Sequence, residues 1–253
     1  MNAILITIRM TSSRLPNKGL FQLGEYNVLE YLIKSVKRCK TINKIIVCTS
    51  TEVTDDVVEE CVNKLNLENV HLFRGSIIDK LDRMYQASKL YNVQNIFYTG
   101  ADNPLISVEL IDEMMNQLID RKLDFIDGEK LDIPIGSVVQ AFTFDSIKKC
   151  CELKKTNDTE MHTLYFKDSG LFKYGLFDTL KLNSKIKRPD IRMTMDYQED
   201  YDLFCEIFKY KKSEFVDLEE LVEIVDKYNL KDINYFRNAD WNQKQLSTQK
   251  MVL

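Results

Sequence analysis

The sequence predicts an α/β fold of three layers, in which helices cover both faces of a mostly parallel sheet. Two observations carry this prediction. Short apolar runs such as residues 3–8 and 44–50 are typical of buried strands, and the stretches between them carry apolar residues at helical spacing. Strands that alternate with helices in this way form βαβ units, and such units build parallel sheets.

The first half of the chain shows the alternation most regularly. Thr54 and Ser107 stand where helix N-caps are expected, because a hydroxyl there can accept a bond from a free backbone N–H. Strands are predicted at residues 3–8, 44–50, 70–73 and 95–100, and helices at residues 28–38, 54–67, 79–91 and 108–121.

The second half is less regular. Strands are predicted at residues 136–144, 173–177 and 190–195, and helices at residues 198–210 and 217–228. Eight glycines, four prolines and no low-complexity run leave no obvious linker. We therefore expect a single domain over residues 1–240, followed by a C-terminal tail at 241–253.

Composition excludes several classes of function. The chain has 253 residues, of which 44% are hydrophobic and 29% charged, as is ordinary for a globular protein. A net charge of −4 and a pI near 5.4 argue against nucleic acid as a partner, since its binding needs a basic face. No apolar run is long enough to cross a membrane, and the N-terminus lacks the layout of a signal peptide. The six cysteines show no C-x-x-C pair, so we expect reduced thiols in a cytoplasmic protein and no zinc site.

Polar side chains cluster directly after the predicted strands. The carboxyl ends of parallel strands share one edge of a sheet, and ligands bind at that edge. The segment TIRMTSSRLPNKGL at residues 7–20 is the densest case, with three cations and two serines after the first strand. Residues in such positions are Arg9, Ser12, Arg14 and Lys18 after the first strand, Thr49 and Ser50 after the second, Arg74 and Ser76 after the third, and Asp102 after the fourth.

This pattern favours a site for phosphate groups. Arginine offers forked donors to phosphate oxygens, and lysine offers a compact positive charge. Asp102 and Asp196 lie at separate strand ends, and if they meet they could hold Mg²⁺ through hard oxygen ligands. Together these parts indicate nucleotidyl or phosphoryl transfer, in which catalysis is mostly positioning and charge neutralisation. The segment matches neither a Walker A loop nor the G-x-G-x-x-G fingerprint.

Each signal taken alone also has a structural interpretation. The basic segment 7–20 can be a solvated surface turn, Asp102 can begin a turn before Asn103 and Pro104, and Asp196 can cap the following helix. His162 is more often structural than a ligand when it stands alone. The shared location at strand ends is what favours the functional interpretation.

Four blocks of the chain resemble the cytidylyltransferase family, which includes CMP-acylneuraminate and CMP-KDO synthetases. The blocks are IRMTSSRLPNKGL, FRGSIIDKLDRMYQA, TGADNPLISVELIDEM and RMTMDYQEDYDL. They are most similar to the spore-coat polysaccharide SpsF branch, which typically reads A-R-M-G-S-T-R-L-P-G-K, R-G-S-x-x-D-V-L-x-R, T-G-D-C-P-L-I-D and R-L-T-V-D-T-x-E-D-Y. The match runs in order from Ala3 to Phe208, and it implies a Rossmann-like nucleotidyltransferase fold.

The resemblance implies transfer of CMP from CTP to an acidic sugar with Mg²⁺ and release of pyrophosphate, in surface polysaccharide or glycoconjugate biosynthesis. Arg74 and Ser76 would lie by the cytosine and ribose. The implied nucleotide-binding residues are Ile8, Arg9, Ser12, Arg14, Lys18, Thr49, Arg74, Ser76 and Asp102. The implied catalytic residues are Arg9, Lys18, Asp102 and Asp196, of which the two aspartates would bind Mg²⁺.

Three positions of the basic segment depart from the branch pattern. Ile8 replaces an alanine and is bulkier beside the nucleotide. Thr11 replaces a glycine, and threonine does not easily adopt a positive φ, so we expect a reshaped phosphate loop. Asn17 replaces another glycine, which is a milder change because asparagine visits the left-handed region.

The acceptor side departs further. The resemblance implies acceptor-binding roles for Gln140, Glu160, Thr163 and Tyr165, within an acceptor segment at about 130–180. Val138 and Gln140 stand where acids are usual. The absence of those two carboxylates reduces repulsion of an anionic acceptor. We therefore expect an unusual acidic acceptor, either a differently decorated nonulosonic acid or a smaller compound bearing a phosphate or phosphonate. Relatives are commonly dimers, so we also expect a homodimer, with a contact near 154–180.

Three rival interpretations stay open at this point. The protein could bind a nucleotide without transferring it, could be a glycosyltransferase that uses a finished nucleotide sugar, or could be a nucleotidyltransferase for another base. Release of pyrophosphate from CTP is required by the cytidylyltransferase interpretation and forbidden by the first two rivals. Competition among the four nucleoside triphosphates separates the third.

Overall fold

The structure is a computed structural model that describes residues 1–12, 14–128, 131–240 and 243. Its strands are β1 (Asn2–Thr7), β2 (Gln22–Leu23), β3 (Tyr26–Asn27), β4 (Lys44–Ser50), β5 (Val70–Gly75), β6 (Asn95–Gly100), β7 (Phe125–Asp127), β8 (Gln140–Thr143) and β9 (Tyr174–Leu176). Its α-helices are α1 (Val28–Val36), α2 (Asp56–Leu65), α3 (Lys80–Leu90), α4 (Val108–Asp120), α5 (Phe144–Leu153), α6 (Thr163–Lys167), α7 (Gln198–Tyr210) and α8 (Leu218–Lys227).

In the part of the chain that the structure describes, seven strands form the central sheet in the order β5-β4-β1-β6-β8-β7-β9. Strand β1 pairs in parallel with β4 and β6, β4 with β5, and β7 with β9. Among the described strands of this sheet, β8 alone runs antiparallel, to both β6 and β7. With its flanking helices this mostly parallel sheet confirms the predicted three-layer α/β/α fold.

The apolar runs of the sequence account for the core. Ala3, Ile4, Leu5 and Ile6 of β1 have no exposed surface, as expected for a central strand buried on both faces. Helix α1 contacts α2, α3 packs against α5, and α7 packs against α8. The chain thus buries β1 from Ala3 onward, which fixes the position of the residues that follow it.

Local capping explains where the helices begin. Asn27 caps α1 in a capping box, in which its side chain accepts from the Glu30 N–H and the Glu30 carboxylate accepts from the Asn27 N–H. Ser107 caps α4 by accepting from the N–H of Leu110 at 3.3 Å, as predicted. These caps satisfy backbone donors that would otherwise lack an intrahelical partner.

The strand order reverses its direction of growth at β1. Thr7, the last residue of β1, pairs with Cys48 of β4 on one side and with Gly100 of β6 on the other. The chain leaves β1 toward β4 and β5 and later returns to β6, so the crevice beyond Thr7 is a topological switch point. Ligands of open α/β sheets bind at such a point.

Some predicted boundaries are wrong. Thr54 does not cap α2, because a 3₁₀ turn at Val53–Asp55 comes first and the helix begins at Asp56. The predicted strand at 190–195 is reduced to a single bridge between Arg192 and Ile135, and the strand at 136–144 forms only at Gln140–Thr143. Strand β7 and helix α6 were not predicted, because each is too short to show a period.

Two further predictions concern the ends and surroundings of the domain. The predicted tail at 241–253 lies outside the described residues, apart from Gln243. Over the residues that are described, no helix combines the length and the apolar character that a membrane span needs.

Candidate active site

The loop after β1 is built around an unusual backbone residue at its far end. Asn17 adopts the left-handed conformation with φ of 59°, and a 3₁₀ turn at Lys18–Leu20 follows it directly. This confirms that asparagine tolerates the conformation for which the branch pattern uses glycine. Thr11 is exposed and is not among the described residues with positive φ. Thr11 therefore carries no left-handed backbone strain, and the reshaped phosphate loop stays a prediction.

A buried carboxylate fixes the start of the same loop. Asp55 accepts a 2.8 Å bond from the N–H of Met10, and its other oxygen lies 2.9 Å from the Thr49 hydroxyl and 3.1 Å from the Ser50 N–H. Burial would raise the pKa of Asp55, but these bonds outweigh it and lower the pKa below its ordinary value. The charged carboxylate thus ties the loop to the end of β4. Because its oxygens are used there, the Asp55 side chain does not cap α2.

Lys18 joins the two aspartates that the sequence places at separate strand ends. Its Nζ lies 3.4 Å from Asp102 Oδ2 and 3.2 Å from Asp196 Oδ1, and it donates a 2.6 Å bond to the carbonyl of Met195. The Met195 N–H in turn donates to the carbonyl of Asp102 at 2.7 Å. The carboxylates of Asp102 and Asp196 therefore face one ammonium group across the switch point.

Ion pairs keep the side chains of Lys18 and Asp196 charged although both are largely buried. Burial would lower the pKa of Lys18, but Asp102 and Asp196 outweigh it and raise the pKa above its ordinary value. Burial would likewise raise the pKa of Asp196, but Lys18, Arg14 and Arg192 hold it below its usual range. Arg14 donates to Asp196 and lies over the ring of Tyr197, with 5.3 Å from its guanidinium carbon to the ring centre.

The first cation of the loop points to a different carboxylate. Arg9 donates a 2.7 Å bond to Glu160 and another 2.7 Å bond to the carbonyl of Ile77. Lys80 Nζ lies 3.6 Å from the other oxygen of Glu160. Lys80 first and Arg9 second lower the pKa of Glu160 to about 2, against the cost of its burial.

The cations of the loop, the two aspartates and Glu160 line one cavity of about 850 Å³ at the carboxyl edge of the sheet. A cavity of this size is large enough for a nucleotide and a small second substrate. Nine of the predicted site residues line it, namely Ile8, Arg9, Ser12, Arg14, Lys18, Asp102, Glu160, Thr163 and Asp196.

Comparison with known proteins agrees with this geometry. A family model described as cytidylyltransferase matches residues 3–246. The chain belongs to the cytidylyltransferase family. It is 34% identical over 233 residues to an uncharacterized protein of Methanocaldococcus jannaschii, covering 91% of this chain and 93% of that one.

Two further relatives support the family assignment. The spore coat polysaccharide biosynthesis protein SpsF of Bacillus subtilis is 28% identical over 238 residues, which cover 90% of this chain and 95% of SpsF. The solved structure of a cytidylyltransferase from Leptospira borgpetersenii superposes with a TM-score of 0.82 at 26% identity, covering 91% of this chain and 95% of that one. This cytidylyltransferase-family member therefore shares both the sequence pattern and the fold of its relatives along most of their length.

Five predicted site residues do not line the cavity: Thr49, Arg74, Ser76, Gln140 and Tyr165. Arg74 differs most from the prediction, because its guanidinium pairs with Asp56 at 2.7 Å and Glu59 at 2.8 Å. These acids stand in the first turn of α2, beside the end of β5, and they draw Arg74 away from the crevice. Arg74 thus lies outside the cavity in this structure, and its place by the cytosine stays a prediction.

The other four residues outside the cavity contact neighbouring residues or pack in the core. Thr49 is buried and lies 2.9 Å from the carbonyl of Ile8, and the Ser76 hydroxyl accepts from the Asp79 N–H at 3.0 Å. Gln140 donates a 2.9 Å bond to the hydroxyl of Thr163, which lines the cavity. Tyr165 is buried in the core.

Sequence reasoning missed several residues of the cavity wall. Lys80 and Arg83 lie three positions apart on α3, inside the second family block, and both line the cavity. His162, interpreted above as structural when taken alone, also lines it, with Nε2 3.0 Å from Gln140 Oε1. Charges three apart on a predicted helix show that Lys80 and Arg83 share a face, but not that this face is buried.

A second missed feature lies behind Asp196. Asp200 has no exposed surface, and its carboxylate accepts bonds from the Asp196 N–H at 2.7 Å, the Arg192 Nε at 2.9 Å and the Asn234 side chain at 2.9 Å. Arg192 also reaches Asp196 Oδ2 at 3.2 Å. The buried carboxylate of Asp200 thus positions Asp196 through both its backbone and its side chain.

The residues present fit a magnesium ion in part. Within the described chain, no group of three His, Cys, Asp or Glu side chains is placed to hold a metal. Asp102 and Asp196, however, already converge on one cation, Lys18. Magnesium is commonly bound through one or two carboxylates, with water and substrate phosphates as its other ligands. The oxygen donors at this point therefore suit Mg²⁺ accompanied by a triphosphate.

Proposed function

We propose that the protein transfers CMP from CTP to an acidic acceptor and releases pyrophosphate. The observation that carries this proposal is the meeting of Lys18 with Asp102 and Asp196 at the switch point, in a chain of the cytidylyltransferase family. The acceptor would be a nonulosonic-acid-type sugar or a compound bearing a phosphate or phosphonate. The similarity to SpsF, a spore coat polysaccharide biosynthesis protein, supports a place in the synthesis of a surface polysaccharide or glycoconjugate.

The cations of the loop after β1 would bind the triphosphate. Arg9, Arg14 and Lys18 line the cavity, and each is paired with a carboxylate in this structure. Phosphate oxygens would replace those carboxylates as partners of the cations. Because folding has already removed the cations from water, binding the triphosphate would not add that desolvation cost. Fixed cations near the departing pyrophosphate stabilise the charge that develops on it.

Asp102 and Asp196 would hold Mg²⁺ beside these cations. The ion, when bound, supplies neutralisation of the phosphate charge. Asp102 is the more accessible of the two, since 32% of its side chain is exposed against 4% for Asp196. Asp196 would be held in place by Arg192 and Asp200, while Asp102 would face the substrate.

The acceptor would enter beside Glu160 and Thr163. Its attacking oxygen would approach the α-phosphorus in line with the departing pyrophosphate, and correct placement of two bound reactants supplies much of the rate enhancement in such reactions. Gln140 and Tyr165 would act indirectly, since neither lines the cavity. A homodimer and a cytoplasmic location stay predictions.

The test is pyrophosphate release from CTP and Mg²⁺ with a panel of acidic acceptors. Asp102→Ala should abolish release, while Asp120→Ala should leave it unchanged because Asp120 is exposed at the end of α4. Competition among the four nucleoside triphosphates checks the base. If calorimetry shows no binding of CTP to the wild-type protein, the proposal is wrong. A panel that turns over only ordinary N-acylneuraminate would disprove the unusual acceptor and keep the reaction.

A further inference from the structure

Two buried cations line the cavity without belonging to the loop after β1. Lys80 and Arg83 stand on the first turn and a half of α3, with only 9% and 2% of their surfaces exposed, and both face the cavity. Residues three apart on a helix share a face, so the two charges lie side by side. The rigid helix fixes them in place.

The partners of Arg83 do not balance its charge. Among the described residues, Arg83 has no carboxylate within ion-pair distance, and its Nε makes no hydrogen bond. Its Nη1 donates only to the carbonyls of Ser76 and Ile77. Burial first, and Arg9 among its neighbours, lower the pKa of Arg83. A buried guanidinium with an unused donor is costly unless a ligand completes it.

Lys80 shares its one carboxylate with another cation. Glu160 lies 3.6 Å from Lys80 Nζ, but it is bound more closely by Arg9, at 2.7 Å. Lys80 Nζ also lies 4.9 Å from the centre of the Tyr98 ring. Among the described residues, Glu160 therefore pairs with both Arg9 and Lys80, and no ion pair is left for Arg83.

The surroundings of Lys80 point to the acceptor. Tyr98 packs edge-on against His162 with 4.6 Å between ring centres, and His162 contacts Gln140. Val138, which also lines the cavity, is apolar and adds no carboxylate to its lining. Arg14 and Lys18, by contrast, pair with Asp196.

We infer that Lys80 and Arg83 form a subsite for an oxyanion group of the acceptor, distinct from the oxygen that attacks CTP. The acceptor would then carry a carboxylate or phosphate that two buried cations bind on α3. This inference rests on the proposed function for the identity of the acceptor. The presence of an oxyanion subsite can be measured without any turnover.

The test uses inorganic phosphate as the probe, with the α,β-methylene analogue of CTP bound first so that the loop cations are occupied. Isothermal titration should show phosphate binding to the loaded wild-type protein. We expect Arg83→Met and Lys80→Met each to weaken phosphate binding by about tenfold or more, and to change the affinity for the analogue by less than twofold. Lys89→Met is the matched control, because Lys89 is exposed on the same helix. It should change neither affinity.

Several outcomes would overturn the inference. Phosphate affinity that is unchanged in both variants, or no phosphate binding to the loaded wild type, excludes the subsite. A parallel loss of affinity for the analogue would assign Lys80 and Arg83 to the nucleotide instead.

A titration with acetate in place of phosphate distinguishes a carboxylate subsite from a phosphate subsite. Lys80→Arg should restore binding, and thermal melting checks that each variant is folded.

The two proposals fail differently. If the analogue does not bind, the proposed function is wrong. Phosphate is then titrated into the free wild-type protein and, separately, into the free Arg83→Met and Arg14→Met variants. Loss of phosphate binding in Arg83→Met and not in Arg14→Met would still support the subsite. The reverse result would overturn it.

Discussion

The guanidinium of Arg9 donates a 2.7 Å hydrogen bond to the carboxylate of Glu160, which lies 151 positions later in the chain. The bond connects the loop after β1 to the segment before α6. Because Lys80 reaches the same carboxylate, Glu160 links the cations proposed for the nucleotide to those proposed for the acceptor. The two halves of the cavity therefore share one charged residue.

This ion pair predicts a pH dependence of stability. The pKa of Glu160 is about 2 in the folded protein, below its ordinary value of 4.5. The carboxylate therefore contributes stability that is fully present above about pH 4.5 and is lost as the pH falls toward 2. We expect wild type to exceed Glu160→Gln in free energy of unfolding by a constant amount near neutral pH and by less below about pH 4.5.

Urea unfolding at a series of pH values measures this difference. The exposed Glu68 provides a control, since Glu68→Gln should show no such narrowing. A difference between wild type and Glu160→Gln that stays constant down to about pH 3.5 would contradict the assignment.

The packing of Ile8 against Gly19 predicts a coupled pair. A Cβ added at Gly19 would lie 2.4 Å from Cδ1 of Ile8, and Ile8 is buried. We expect Gly19→Ala to lower the free energy of unfolding by about 1 kcal/mol, since the clash involves only the end of a side chain. In an Ile8→Ala background most of that cost should vanish.

A double-mutant cycle by urea unfolding measures the coupling between the two positions. Equal costs of Gly19→Ala in both backgrounds would show that the clash does not limit the loop. The pair also explains how the chain accommodates an isoleucine in the wall of the cavity, because the residue opposite it has no side chain.

The buried network behind Asp196 predicts a large loss of stability. Asp200→Asn leaves the buried Arg192 without its main carboxylate, and breaking such a pair costs about 3–5 kcal/mol. Asp202→Asn on the same helix is the control, because Asp202 is exposed. Chemical unfolding of the two variants should differ by most of that amount. A loss below about 1 kcal/mol for Asp200→Asn would mean that Asp196 is positioned without it.

The backbone at Thr11 predicts a small effect. Since Thr11 is exposed and does not have a positive φ, Thr11→Gly relieves no strain. We expect it to destabilise the protein by at most about 1 kcal/mol through backbone entropy and to change CTP affinity by less than threefold. Calorimetry of CTP binding is the measurement. A tenfold gain in affinity would show that the threonine does obstruct the phosphate loop.

The sequence by itself determined the class of fold and the place of the site. Apolar runs of the lengths seen in β1, β4 and β6 are buried in almost any α/β arrangement, and polar residues after them must meet at the carboxyl edge of the sheet. Arg9, Lys18 and Asp102 could be found this way because their place in the cavity depends on their position next to a strand.

The tertiary structure decided which side chains reach the cavity. Arg74 also follows a strand, yet the acids of α2 hold it outside the crevice, and such competition between partners depends on packing rather than on sequence position. Arg83 and Asp200 lie within helices, where no local pattern distinguishes a buried charge from a solvated one. Only the packing of α3 against the sheet, and of α7 behind Asp196, brings these charges into the site, because burial and ion pairing join residues that are far apart in the chain.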